Sequence, residues 1–354
     1  MKKLLIPLIL LAVAMVATNI ARQYGETEDP GFDNAAASVG QIRIKQRPPF
    51  KLKVKPPAKK SDQLYVEVSA LGNLDYFHDH KLGLRMVGEL LGVKTEYVGP
   101  AAYDIPAMIT AFELTLAKKN LMGIVVVGFE RSLEPSINKA IAMGIPVVIV
   151  DADLPQSNRL AFVGTGNAKA GYMGGMKLAE LIGGKGKVAL MTRSELSNLR
   201  ERISGYKAAL SQYKDIKLVQ IVDTQSDPVV AAQVAATVLQ RHPDLAGLGC
   251  VEASGGTGAA TAVREAGLVG KVKIVAMDRG NELQLIKDGV IDATVVQQTA
   301  LMPLYAVRMM HDLVNLNIPI SSDNSAAGVS GVPSDVDTGI ILVDKNNCEY
   351  FMRK

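Results

Sequence analysis

The chain has 354 residues but no tryptophan, only two cysteines and four histidines, and no long low-complexity tract. Each scarcity narrows the field. Cys250 and Cys348 are far apart and sit in no short motif, so they define no framework, and whether they pair stays open. Cys250 falls in an apolar run and reads as a small buried residue. The histidines assemble no Ser-His-Asp set: His242 precedes a proline and His311 falls on a late helical segment. No motif carries paired catalytic carboxylates, so the chain is expected not to be an enzyme. No apolar run reaches the ~20 residues that span a bilayer comfortably. What remains is a globular composition, 48% hydrophobic, long enough for two domains.

The N-terminus stands apart. Lys2 and Lys3 precede an apolar run from Leu4 to Ala17, with Ala12, Ala14 and Ala17 as possible cleavage positions. That is the pattern of a secretory signal, or of an uncleaved anchor, over residues 1–21. No cysteine follows the run, which argues against a lipid-anchored lipoprotein. Residues 22–60 contain two Pro-Pro pairs and, from Arg43 to Lys60, no acidic residue, so they read as a tether. Residues 1–60 hold eleven Lys or Arg against four Asp or Glu. The whole chain is +4, so this +7 segment leaves −3 for residues 61–354. The basic character belongs to the tail, and a nucleic-acid-binding body is disfavoured. The tail reads as a solvated linker or as a contact with an anionic membrane surface.

From Leu64 onward, short β-rich runs alternate with helical segments. Ile124 to Val127 is apolar without alternation, as a parallel strand covered on both faces must be. Ile109, Phe112 and Leu116 recur at helical spacing. Gly123 and Gly144 are expected at helix-to-strand junctions. A β-α-β-α-β series over residues 64–150 is followed by a second over 187–277, which predicts an α/β protein of two similar lobes, each a parallel sheet flanked by helices. Later strands imply that the chain crosses back. The expected division is 61–164 with 298–336 for one lobe and 165–297 with 337–354 for the other. Hinge strands are expected near Val163–Thr165, Gln297–Thr299 and Val336–Thr338.

The two series end alike, in Ile145-Pro-Val-Val-Ile-Val-Asp151 and Val272-Lys-Ile-Val-Ala-Met-Asp278. Ligands of open parallel sheets bind beyond the carboxyl ends of the strands, so facing lobes would bring Asp151 and Asp278 to one crevice. A single such Asp would more simply cap the next turn.

At this point the sequence resembles the type I periplasmic binding proteins, especially the ribose-binding group, which share their fold with LacI-type repressor effector domains. The resemblance runs from about Leu64 to the C-terminus. It is carried by Ser69-Ala-Leu-Gly-Asn73 with Tyr76-Phe77, Gly123 to Val127, Gly144 to Asp151, Arg200-Glu-Arg202-Ile-Ser-Gly205-Tyr206, His242-Pro-Asp244, Ile274 to Asp278 and Asp292 to Gln297. It implies a cleft lined by Asn73, Tyr76, Phe77, Asp151, Arg202, Glu252, Asp278 and Gln297. One extra residue separates Asn73 from the aromatic pair. Ala152, Ser226, Gly128 and Glu252 replace the family's Arg, aromatic, Asn and Asn, so ribose itself is not implied. The residue types suit a polyhydroxylated ligand: carboxylates accept from hydroxyls, Arg donates through a rigid fork, and rings cover C–H faces. An excess of carboxylates argues against free phosphate and would also suit an amino sugar.

The resemblance implies an extracytoplasmic, monomeric solute-binding protein that delivers a sugar or polyol to an ABC transporter permease by hinge closure, with no cofactor and no metal. A membrane-tethered sensor is the second reading, with contact through residues 1–60, and a cytoplasmic repressor is weak without a helix-turn-helix. Two rival motifs are also present. Ser254-Gly-Gly-Thr-Gly258 resembles part of a dinucleotide fingerprint, but Thr261 stands at its third small position. Asp75, His78, Asp79 and His80 suggest a metal, yet His78 and His80 would point about 200° apart on a helix. They read as solvated or capping groups, with a histidine at the cleft rim as an option.

Overall fold

The computed structural model describes residues 50–352 except 194 and 317. The expected signal or anchor and most of the tether lie outside the described residues. In chain order the strands are β1 (Leu64–Val68), β2 (Lys94–Val98), β3 (Leu121–Val127), β4 (Val147–Val150), β5 (Ala161–Gly164), β6 (Lys185–Thr192), β7 (Asp215–Asp223), β8 (Leu245–Cys250), β9 (Lys273–Met277), β10 (Ala293–Gln297), β11 (Asp335–Asp337) and β12 (Ile340–Asp344). The helices are α1 (Tyr76–Leu91), α2 (Ile105–Thr115), α3 (Glu134–Ala142), α4 (Asn167–Leu181), α5 (Ser197–Leu210), α6 (Pro228–Arg241), α7 (Ala253–Glu265), α8 (Asn281–Lys287) and α9 (Leu301–Asn315).

They build two six-stranded sheets, ordered β11-β5-β4-β3-β1-β2 and β12-β10-β9-β8-β6-β7. Pairing is parallel except between β10 and β12. The centre of the first sheet is the part the sequence marked most clearly. All seven residues of β3 and all four of β4 are buried. Helix starts follow local chemistry: Asp104 accepts from Ala107 N ahead of α2, and Asp227 from Val229 N and Val230 N ahead of α6, each with a proline in the first turn.

Three expectations change. Gly144 does end a helix, with φ +77°, but Gly123 lies inside β3. A Cβ there would come 2.6 Å from Met310 Sδ, so the glycine serves the close approach of α9 to the sheet. The segment between the two β-α series contains β5, where a hinge strand was expected, and also α4, which the apolar pattern had not revealed. Gly171, Gly174 and Gly175 deprive α4 of the apolar stripe that marks a helix.

The third change concerns the tether. Its last part is not a free linker. Phe50, Leu52 and Val54 pack against the first lobe's core, and Lys51, Lys53 and Lys55 alternate outward between them. Lys53 N donates to Gly144 O at 3.1 Å, and Lys53 Nζ donates to Ala142 O at 3.0 Å. The strap obeys the period of two that half-buried extended chain requires. Its prolines and charge had hidden that alternation.

The chain passes between the sheets three times: after β5, after β10 and between β11 and β12. These crossings are bonded together. Thr338 N donates to Gly164 O (2.8 Å), and Gln298 Nε2 to Thr338 O (2.6 Å). The Asp337 carboxylate takes bonds from Gly166 N, Gly339 N and Lys169 Nζ at 2.8–2.9 Å. Cys250 and Cys348 are both buried free thiols.

Candidate functional site

β4 and β9 deliver matching residues to the carboxyl ends of the two sheets, where Tyr76 of the first lobe lies close enough to feel the charges of Asp278 and Arg202 of the second. Asp151 and Asp278 both have left-handed backbone, φ 65° and 72°. In each lobe the amide of this Asp donates to the next strand, Asp151 N to Val163 O at 3.3 Å and Asp278 N to Val295 O at 2.8 Å. A non-glycine residue there costs energy that surrounding structure must offset, and such positions cluster at ligand sites.

The second lobe surrounds its Asp with a continuous network. Gln297 Nε2 donates to Asp278 Oδ1 at 2.7 Å, and Gln297 Oε1 accepts from Arg202 Nη2 and Thr165 Oγ1, both at 2.7 Å. Arg202 also donates to Asn167 Oδ1 (2.9 Å) through Nε and to Val251 O (3.0 Å) through Nη1. Arg202 is 2% exposed, so these bonds are what permit its burial. The position of Arg202 depends on how α4 crosses α5. A Cβ on Gly171 would fall 1.8 Å from Arg202 O, and one on Gly205 2.1 Å from Ala168 O. Glycine costs helix stability of roughly 1 kcal/mol per residue; here it lets the backbones touch, which sets Arg202 beside Asn167.

The first lobe is wired more sparsely. Tyr76 OH donates to Asp151 Oδ1 at 2.8 Å. Behind it lie Phe77 and His80, with ring centroids 5.0 and 5.6 Å from that of Tyr76. His80 is fully buried and its Nδ1 lies 2.6 Å from Glu67 Oε1, so it is a floor residue rather than one at the rim.

The eight expected residues divide accordingly. Tyr76 and Asp151 meet on one side, and Arg202, Gln297 and Asp278 on the other. Glu252 is buried near them, but Thr224 Oγ1 donates to its Oε1 and Ser254 N to its Oε2, each at 2.9 Å. It caps α7 with the oxygens a ligand would need. Phe77 belongs to the first lobe's core, and Asn73 is exposed with its amide bonded to Ala101 O. Thr165 and Asn167 escaped sequence reasoning because a polar residue after a strand has many uses; the Gly164-Thr-Gly166-Asn167 turn was the only signal.

Burial and charge shape the titration. Asp278 is pushed up to about 6, chiefly by burial; Arg202 and the Gln297 bond oppose this, and Asp151 and Glu252 add to it. Glu252 is raised by burial against its capping bonds. Tyr76 is pushed well up by burial and by the nearby charges of Asp151 and Asp278, so it stays a neutral donor. Asp278 Oδ2 and Asp151 Oδ2 take no hydrogen bond from the described residues. Arg202 uses three of its five N–H groups. These acceptors and donors lie near one another at the carboxyl ends of the two sheets.

The rival motifs are spent on structure. His78 pairs with Asp75, Asp79 with Arg279, and His80 with Glu67. Among the described residues no group of three His, Cys, Asp or Glu is placed to hold a metal ion. At the start of α7 the Glu252 carboxylate occupies the amide that a phosphate would take.

Comparison with known proteins decides the family. The model of the periplasmic binding protein domain matches residues 66–317. The chain belongs to the periplasmic binding protein family. This binding protein is 28% identical over 249 residues to the D-allose-binding periplasmic protein of Escherichia coli, covering 67% of this chain and 80% of that one. It is 26% identical over 260 residues to the ribose import binding protein of Bacillus subtilis, covering 73% and 83%. Among solved structures, the arabinose-binding protein of Geobacillus stearothermophilus superposes with TM-score 0.75 at 32% identity, over 82% of this chain and all of that one. A solute-binding protein of Burkholderia graminis in complex with D-arabinose superposes with TM-score 0.74 at 28% identity, over 84% and 100%. The two-lobed α/β fold of this binding protein is the fold of those neighbours.

Proposed function

We propose that the chain is an extracytoplasmic solute-binding protein that captures a monosaccharide by closing its lobes and hands it to the permease of an ABC importer. The observation that carries this reading is the facing pair of networks, Tyr76–Asp151 on one lobe and Arg202–Gln297–Asp278 on the other. Relatives named for allose, ribose and arabinose support a sugar as the ligand class. The free carboxylate oxygens accept from vicinal hydroxyls, the remaining Arg202 donors grip a ring or hydroxyl oxygen, and Tyr76 offers an aromatic edge. Ligand that touches both lobes binds only the closed form and shifts the population toward it. Closure is also held by protein contacts. Arg279 of the second lobe donates to both oxygens of Asp79 on α1 at 2.7 and 3.0 Å, and Arg193 lies 5.5 Å from the Tyr103 ring centre. The site is read as one for binding without turnover, because Asp151 and Asp278 belong to bodies that separate.

Calorimetric titration and thermal unfolding with a panel of pentoses, hexoses and amino sugars test the proposal. One or more should bind with a Kd of micromolar order and raise the Tm. A folded protein that gives neither heat nor a Tm shift with any of them would overturn it.

A further inference from the structure

The strap of residues 50–60 makes one pole of the molecule strongly basic. Its inward side, Phe50, Leu52 and Val54, is held to the first lobe's core, and Lys53 is tied to the carbonyls of Ala142 and Gly144 at the end of α3. Its outward side is five lysines, Lys51, Lys53, Lys55, Lys59 and Lys60, all exposed. None forms an ion pair with the described residues. Exposed Lys119, just ahead of β3, extends the patch. Nearby carboxylates are already neutralised: Asp62 by Lys94, Glu96 by Lys118 and Glu113 by Lys139. Residues 60–64, 94, 119–121 and 142–147 are the amino ends of β1 to β4, so this pole lies on the side of the first sheet away from the cleft. The rest of the folded body carries net negative charge, since residues 61–354 total −3.

We infer that this lysine-covered pole is a docking surface for an anionic phospholipid membrane. Charge complementarity selects the occupant. With a body of net negative charge, attraction centred on this pole also orients the molecule. Because the apolar side chains of the strap are already spent on the protein's own core, the contact is electrostatic rather than insertive. The cleft points away and stays open to ligand. The inference does not depend on which solute the cleft binds.

Vesicle co-sedimentation of the full chain tests it, with vesicles of phosphatidylcholine alone and of phosphatidylcholine mixed with phosphatidylglycerol. Wild-type protein should partition onto the mixed vesicles at low salt and come off at high salt. Each lysine at an anionic surface raises partition about fivefold. The K51Q/K55Q/K59Q/K60Q variant should therefore lose about six-hundredfold, with an unchanged Tm and unchanged sugar titration. Equal sedimentation on both vesicle types overturns the inference, because binding then rests on apolar segments. So does a folded quadruple variant that sediments like wild type. Retention on polyglutamate beads without vesicle binding also overturns it and points to an acidic protein instead.

Discussion

Asp151 and Asp278 stand at the same place in two similar lobes, yet their surroundings differ. Asp278 ends a chain of bonds through Gln297 to Arg202, Thr165 and Asn167, which joins the hinge to two helices. Among the described residues Asp151 has one side-chain partner, the hydroxyl of Tyr76. One strand end thus became a rigid half-site and the other an adjustable one. Duplicated architecture supplies position; the side chains that reach in from neighbouring elements supply stiffness. On the proposed reading, the second lobe would receive the ligand pre-organised and the first lobe would close over it.

Substitutions on the two sides should separate these roles. The largest effect belongs to Arg202→Ala. Removing its guanidinium leaves the buried oxygens of Asn167, Val251 and Gln297 short of a donor, at a cost of about 1–3 kcal/mol each. Chemical denaturation should read that loss, with sugar binding abolished in the same variant. Next comes Gly171→Val, which forces α4 from α5 and costs about 1–3 kcal/mol or more by overpacking. A melting temperature equal to wild type would show that the close helix crossing does not set Arg202.

Asp278 gives a pH signature of two opposite signs. Its folded-state value of about 6 lies above the ordinary 3.8, so between these the native state holds more protons than the unfolded one. Stability of the ligand-free protein contributed by this group is full at acid pH and is lost as pH rises through about 6. Sugar affinity should run the other way and fall below about 6, as the carboxylate loses acceptor capacity. Asp278→Asn should flatten both curves; an affinity profile unchanged by that substitution would remove Asp278 from the site. Buried Glu282, pushed up to about 7 mainly by burial, adds to the stability slope but not to the binding slope.

The adjustable side should respond less. Tyr76→Phe removes one bond to a carboxylate and should weaken binding by about 1–2 kcal/mol, roughly five- to thirtyfold, with little change in Tm. The smallest effect is expected of Asp79→Asn. Its partner Arg279 is partly solvated, so the lobe-to-lobe pair is worth about 1 kcal/mol or less. That appears as a faster sugar off-rate and a larger radius of gyration without ligand, rather than as unfolding.

Much of this fold was legible before any coordinates. An unbroken apolar run such as Ile124 to Val127 has one stable home, a parallel strand covered on both faces, and repeated strand–helix alternation leaves few topologies. The matching places of Asp151 and Asp278 were legible because chain position alone puts the residue after a strand at the carboxyl edge of its sheet. Other readings met surroundings that the sequence did not show, for definable reasons. Asn73 and Phe77 were carried by resemblance, which transfers a residue's identity but not its exposure: one points to water and the other into the core. Glu252 sits in the right place but spends its oxygens on a helix end. His80 was read as solvated, capping or at the rim because Glu67, its partner thirteen residues earlier on β1, carries no sign of burial in an otherwise apolar strand.

The amino-acid sequence by itself determined the two α/β lobes, the carboxylate at each strand end and the division of charge between tail and body. These depend on local periodicity and on counting, which need no partner. Only the tertiary structure decided that Gln297 holds Arg202 from 95 residues away, that Arg279 reaches Asp79 across 200, and that the basic tether ends as a strap on the first lobe. Periodicity says which face of an element is buried; what that face meets is set by packing between distant segments, where a glycine's missing Cβ matters as much as a charge.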